Sequence, residues 1–268
     1  VIVTLTFLKC LNYKIGVIPV YPKLTLIRCV LMHFGFFIFF ISLEKLSLST
    51  VTALFFAAPF FITILSALVL SERIGLIRVL IIVLGFIGVF LIVKPFKESE
   101  FSFFMLAPLF TAFSYAVAMV ISKYTKENEN AFLQAFQQYS VSLLLSVITY
   151  IIILVFPLDF INTEEWRFIF GSIKFDNYNI LISIAILSIF GTLGMTSLIH
   201  AYQVGSPITN GPTEYVLLIL AIINGYFFFG NIPDYLSLAG IILIILGGWA
   251  LFFREYKQNK PGTNGSPT

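Results

Sequence analysis

The chain has 268 residues and a formal net charge of +3; 59% of it belongs to the hydrophobic set and only 11% is charged. A soluble domain carries about a quarter charged residues, so the composition excludes a globule covered by water and points to a chain dissolved in lipid. The sixteen basic residues are scattered between apolar runs, which excludes a nucleic-acid-binding face.

Taken in order, residues 1–8 are apolar but shorter than the ~20 residues needed to cross the hydrocarbon, and read as the end of a helix. Eight complete spans are predicted: 24–42, 50–70, 77–95, 101–122, 132–156, 180–200, 206–229 and 235–253. In the first, His33 needs a polar partner or a wet face, so it reads as a cavity residue or a structural one. The second contains Ala57-Ala58-Pro59-Phe60, where a proline kinks the helix and frees a carbonyl; the kink is structural or lines a cavity. In the third, Gly85 and Gly88 make a smooth strip suited to close helix approach.

The fifth span opens with Gln134, Gln137 and Gln138, a polar patch at a cavity mouth or in the interface. The segment 157–179 is polar and carries Trp166, which predicts an interfacial helix. In span 180–200, Gly191 and Gly194 form a second strip. Ser183, Ser188, Thr192, Thr196 and Ser197 bond their own backbone or line a path, and His200 marks a boundary before a loop at 201–205. Trp249 and Arg254 anchor the last span, and residues 255–268 are expected to be a disordered cytoplasmic tail.

Glu214 is the sharpest pointer. An ionisable side chain inside an apolar run is costly unless it meets a cavity, a partner or the interface. Two readings follow. With a helix beginning near Gly211, Pro212 is a first-turn proline and Glu214 a first-turn carboxylate favoured by the helix dipole. Otherwise Glu214 faces a cavity as a substrate or proton site, with Tyr215 on an adjacent face.

Charge sets the expected orientation. If the loops alternate sides from a cytoplasmic 9–23, eleven of the sixteen basic residues fall on that side, and the C-terminus is cytoplasmic by the positive-inside rule. A faint repeat is also visible at a shift of 159 residues, which lays Glu72-Arg73-Ile74-Gly75 and its following helix over Asn231-Ile232-Pro233-Asp234 and places Gly88 on Gly247. The shift spans an odd number of helices, so the copies are inverted. Cys10 and Cys29 lack metal-ligand spacing. No zinc-protease, nucleophile-elbow or nucleotide-binding motif occurs, so an enzyme is not expected, and no metal or cofactor is implied.

Leu48 to Phe60, Leu65 to Arg73, Leu84-Gly85-Phe86-Ile87-Gly88-Val89, Val93-Lys94-Pro95, Gly205-Ser206-Pro207, Gly211-Pro212-Thr213-Glu214-Tyr215, Gly225 to Gly230 and Pro233-Asp234-Tyr235 resemble the EamA-type drug/metabolite transporters. The resemblance implies an all-α polytopic membrane protein of two inverted five-helix repeats. The N-terminal repeat, 1–100, is incomplete, with residues 1–8 matching the end of the second family span; the second repeat is 101–254. It further implies that about 30 mostly apolar residues are encoded upstream, one span and part of another. The acidic residue closing the fourth family span matches Glu72, whose second-half counterpart is Asn231.

The expected function is a secondary transporter of the bacterial inner membrane. It would move a small polar metabolite, amino-acid-like solute or drug by alternating access, with a coupled proton or counter-substrate. Glu214, Tyr215, His33, Gln134, Gln137, Thr192 and Pro59 are the candidate site residues. Membrane lipid is the other partner, and a homodimer is compatible. The alternative is a non-transporting membrane protein or an inactive truncated transporter.

Overall fold

The computed structural model describes residues 1–10, 19–46, 48–72, 75–93, 103–155, 178–217, 219, 220, 223, 227 and 234–258. Ten α-helices lie among them: α1 (Ile2–Cys10), α2 (Pro22–Ser42), α3 (Leu48–Phe55), α4 (Ala58–Val69), α5 (Leu76–Val93), α6 (Leu106–Tyr124), α7 (Ala131–Val155), α8 (Tyr178–Val204), α9 (Pro207–Thr213) and α10 (Tyr235–Gln258). No strand occurs among the described residues. Hydrocarbon offers no partner for a free peptide group, so helices are the form an apolar chain of this kind takes. Most of the predicted 157–179 segment and of the tail, Asn231, and all of the Gly225–Gly230 run except Phe227 lie outside the described residues.

Among the described residues, five stretches are long and apolar enough to cross a membrane: Pro22–Ser42, Val51–Val69, Phe103–Tyr124, Ala131–Ile153 and Ile180–Val204. Leu76–Ile92 and Tyr235–Gly247 are shorter apolar helices. The protein is therefore an all-α, multi-pass membrane protein.

Prolines and left-handed residues set the helix ends. Pro22, Pro59 and Pro207 sit in the first turns of α2, α4 and α9, where a missing N–H leaves nothing unpaired. α4 stops at Ser71, whose φ of 55° is left-handed, a helix-ending conformation usually filled by glycine. α8 runs on through the stretch expected to be a loop at 201–205. Its last backbone bond, Gly205 N to Ala201 O, is 2.8 Å, and nothing in Ala201-Tyr202-Gln203-Val204 breaks a helix. Ser206, preceding a proline, is extended, as the proline ring requires.

The predicted span 50–70 is two helices. Phe60 N bonds back to Ala57 O instead of to Phe56 O, so the break frees the Phe56 carbonyl. The Tyr215 hydroxyl donates to it from 3.4 Å, and the two rings pack with centroids 5.7 Å apart. The chain breaks again at Glu214–Tyr215. Leu48 and Pro207 open α3 and α9, and Leu76 and Tyr235 open α5 and α10, each pair at the 159-residue separation of Phe56 and Tyr215.

The most extensive helix pairings are α5 with α10 and α2 with α6. α5 and α10 run antiparallel: a Cβ on Gly88 would lie 2.8 Å from the Gly240 carbonyl oxygen, and one on Gly247 would meet Ile81 at 3.8 Å. At the 159-residue shift Gly88 becomes Gly247 and Ile81 becomes Gly240, so the two contacts exchange. Gly35 brings α2 against α6, where its Cβ would lie 3.0 Å from that of Ser114 and its carbonyl accepts Thr111 Oγ1 at 2.7 Å. The main core joins Met32, Ile62, Ala112, Tyr115, Met119 and Tyr202. A second cluster holds Phe56, Val89, Tyr215 and Ile244.

Candidate functional site

Glu214 occupies the turn that closes α9. Its N–H bonds to Gly211 O at 3.1 Å, and Leu217 N bonds to Glu214 O at 3.0 Å. The first-turn reading fails: α9 begins at Pro207, Pro212 lies inside it, and Glu214 follows its last residue. What holds the carboxylate is a pair of phenols. Tyr115 Oη donates to Glu214 Oε1 at 2.6 Å and Tyr202 Oη donates to the same oxygen at 2.5 Å. Oε2 takes no part in either bond.

Tyr115 is on α6 and Tyr202 on α8, and both are buried, so the carboxylate is reached from three separate segments. A carboxylate partly buried in an apolar bundle needs donors of this kind. Phe55 packs on Tyr115 with centroids 5.6 Å apart. Gly211 lets α9 approach α4, since a Cβ there would sit 3.3 Å from that of Pro59. Glu214, Tyr215 and Pro59 are thus brought together around the two helix breaks. Two tyrosine hydroxyls converging on one carboxylate oxygen form a group that can bind a cation or exchange a proton.

The other candidates lie elsewhere. Gln134 and Gln137 surround Arg28, which is 2% exposed, rather than a cavity mouth. Arg28 Nη1 donates to Gln134 Oε1 at 3.0 Å and to Ser122 Oγ at 3.4 Å; Nη2 donates to Gln137 Oε1 at 2.8 Å and to Gln134 O at 3.3 Å. Gln134 Nε2 donates to Thr125 Oγ1 at 2.9 Å. Thr25 Oγ1 donates to Glu129 Oε1 at 3.4 Å, and Gln203 Nε2 donates to Glu129 O at 2.8 Å.

His33 borders a cavity of about 460 Å³ between α2, α7 and α8, whose wall also includes Gln138, Tyr139 and Ser142. Met32, Met195 and Leu198 line that cavity and also pack in the core with Tyr115 and Tyr202, so they form the partition between it and the Glu214 surroundings. Thr192 bonds back to Ser188 O at 2.7 Å, and Ser188 and Thr196 do the same one turn away; the local-backbone reading of this polar helix holds for these three. Gly85 packs on the Tyr215 ring, whereas Gly191 and Gly194 have nothing within 4 Å.

Sequence reading missed Tyr115, Tyr202 and Arg28. The tyrosines gave no signal, because one at an apolar helix end and one inside a span are ordinary. Arg28 did give one: it lies within the span 24–42 and meets the same test as Glu214.

An apolar multi-pass bundle with interrupted helices and a partnered carboxylate at a helix break is an architecture that membrane transporters use. The chain belongs to the EamA-like transporter family, whose model matches residues 1–94 and 102–253. It is 27% identical over 242 residues to an S-adenosylmethionine uptake transporter of Rickettsia felis, covering 88% of this chain and 74% of that protein. It is 25% identical over 229 residues to the pseudopaline exporter CntI of Pseudomonas aeruginosa, covering 84% of this chain and 73% of that one. A solved crystal structure shares the fold, with a TM-score of 0.74 at 14% identity, over 97% of this chain and 84% of the other. The family and these relatives are transporters, not enzymes.

Proposed function

We propose that the chain is a secondary active transporter of the bacterial inner membrane that moves a small amino-acid-like metabolite bearing a positive group, with Glu214 as its binding and coupling carboxylate. The observation that carries this reading is the pair of phenol bonds converging on Glu214 Oε1 from α6 and α8. A cationic substrate group can replace those donors at the carboxylate, and the surrounding rings add a cation–π surface. S-Adenosylmethionine, transported by the Rickettsia felis relative, carries both a sulfonium and an ammonium group and is the first solute to test.

Alternating access follows from two inverted repeats, 1–100 and 101–254, moving against each other. The shared 159-residue register of α3 with α9 and α5 with α10, and the exchange of the Gly88–Gly240 and Ile81–Gly247 contacts, support that architecture. The C-terminus is cytoplasmic in this reading, so a reporter fused after Lys257 is active only inside the cell.

The test is uptake of radiolabelled S-adenosylmethionine and of cationic amino acids into vesicles across a pH series, with wild type and Glu214→Gln at matched abundance. Glu214→Gln keeps the shape and removes the charge. The expected result is loss of uptake, or uptake that no longer responds to pH, in a protein that still inserts and stays monodisperse. Equal rates for the two proteins at every pH would overturn the assignment.

A further inference from the structure

We propose that the polar network around Arg28 is a gate: it closes the transport path at the end of the bundle that carries the α6–α7 turn, and its ties part and re-form in each cycle. Arg28 and Glu129 act there as positioning residues. This rests on the alternating-access reading above.

The network joins the two halves. Arg28 and Thr25 belong to α2, and the Arg28 bonds to Ser122, Gln134 and Gln137 and the Thr25 bond to Glu129 all reach into the α6–α7 region. Gln138 Nε2 adds a bond to Cys29 O at 3.2 Å. A second tie across the halves lies at the α8–α9 junction, where Ser206 Oγ donates to Glu72 Oε2 at 2.6 Å. Each of these Arg28 bonds ends on a neutral hydroxyl or amide oxygen, and the buried Glu129 carboxylate nearby supplies the counter-charge.

The closed arrangement also leaves polar atoms unpaired. Glu129 Oε2 and Gln137 Nε2 are buried with no hydrogen-bond partner among the protein's own described groups.

The network is wired to the carboxylate through two helices. Tyr202, which holds Glu214, is followed by Gln203, which holds Glu129 O. Tyr115 and Ser122 lie about two turns apart on α6, one on Glu214 and the other on Arg28. Lys123 Nζ fastens α6 to the end of α8 through Gln203 O at 2.9 Å and Gly205 O at 2.6 Å. A shift of α8 that releases Tyr202 from Glu214 therefore strains the Gln203–Glu129 bond.

Cys29 is buried beside this network and reports on it. In a Cys10→Ser background, the maleimide modification rate of Cys29 is measured in sealed vesicles of both orientations with a membrane-impermeant reagent. The expected result is slow modification from one face only, accelerated about tenfold by Arg28→Gln as the cross-half bonds are lost. Gln137→Leu, which spares the guanidinium, gives a smaller acceleration in the same direction and serves if Arg28→Gln does not fold. Glu214→Gln, remote from the network, also changes the rate, which a network that only cements helices would not allow. Equal rates in all of these proteins, or modification from both faces, would overturn the gate. Loss of uptake in Glu214→Gln alongside unchanged Cys29 rates would overturn the gate while leaving the transporter reading standing.

Discussion

Glu214 and Arg28 are both ionisable residues within apolar runs of the sequence, and the fold treats them differently. Glu214 is partly buried at a helix break, and two phenols share one of its oxygens. Arg28 lies within a continuous helix and is bound by side chains and a backbone carbonyl from the α6–α7 region. A group held by two neutral donors can trade them for a ligand at small cost. A group held by several acceptors fixes the helices that supply them. The difference separates a carboxylate held through one oxygen by two donors from a guanidinium tied to two neighbouring helices.

The comparison is broken most directly at Arg28. Arg28→Met leaves Gln134 and Gln137 buried without their donor, and we expect a loss of about 2–4 kcal/mol of stability, read as a fall in the unfolding midpoint of the detergent-solubilised protein. Gly85→Leu comes next, because any side chain there enters the Tyr215 ring. We expect a cost of about 1–3 kcal/mol, seen in the same assay, and relieved in part when Tyr215 is shortened to Leu.

Tyr115→Phe and Tyr202→Phe sharpen the other side of the comparison. Each removes one donor to Glu214 and should cost only about 1 kcal/mol in stability, while the double variant changes the pH response of uptake more than either alone. If both phenols are dispensable for uptake and its pH profile, the carboxylate is not held in the way described. The smallest effect is expected at Ser71, whose φ of 55° suits glycine: Ser71→Gly should leave uptake unchanged and shift stability upward by no more than about 1 kcal/mol.

Much of the helical pattern was legible in the residues. Leu76–Val93 and Tyr235–Gln258 were readable as apolar runs, and the 159-residue shift was readable from Gly88 and Gly247. The break at Pro59 was legible too, since a proline inside a run frees a carbonyl. Its consequence was not: that the freed Phe56 carbonyl is met by Tyr215, 159 positions away, depends on how α3, α5 and α10 pack. For α8 the residues left two readings, a path or bonds to the helix's own backbone, and Thr192 and Thr196 take the second.

What the sequence determined by itself was the solvent and hence the secondary structure. A chain this poor in charge must satisfy its peptide groups internally, so its apolar runs become helices and its prolines and glycines mark where they start, break and stop. The same scarcity of charge made Glu214 conspicuous. Tertiary structure alone decided what Glu214 and Arg28 touch. Tyr115 lies 99 positions from Glu214, and Gln137 lies 109 from Arg28; nothing local links such residues. In lipid, where apolar faces are interchangeable, close approach at small residues such as Gly35 and Gly211 sets which helices meet, and so which polar side chains find each other.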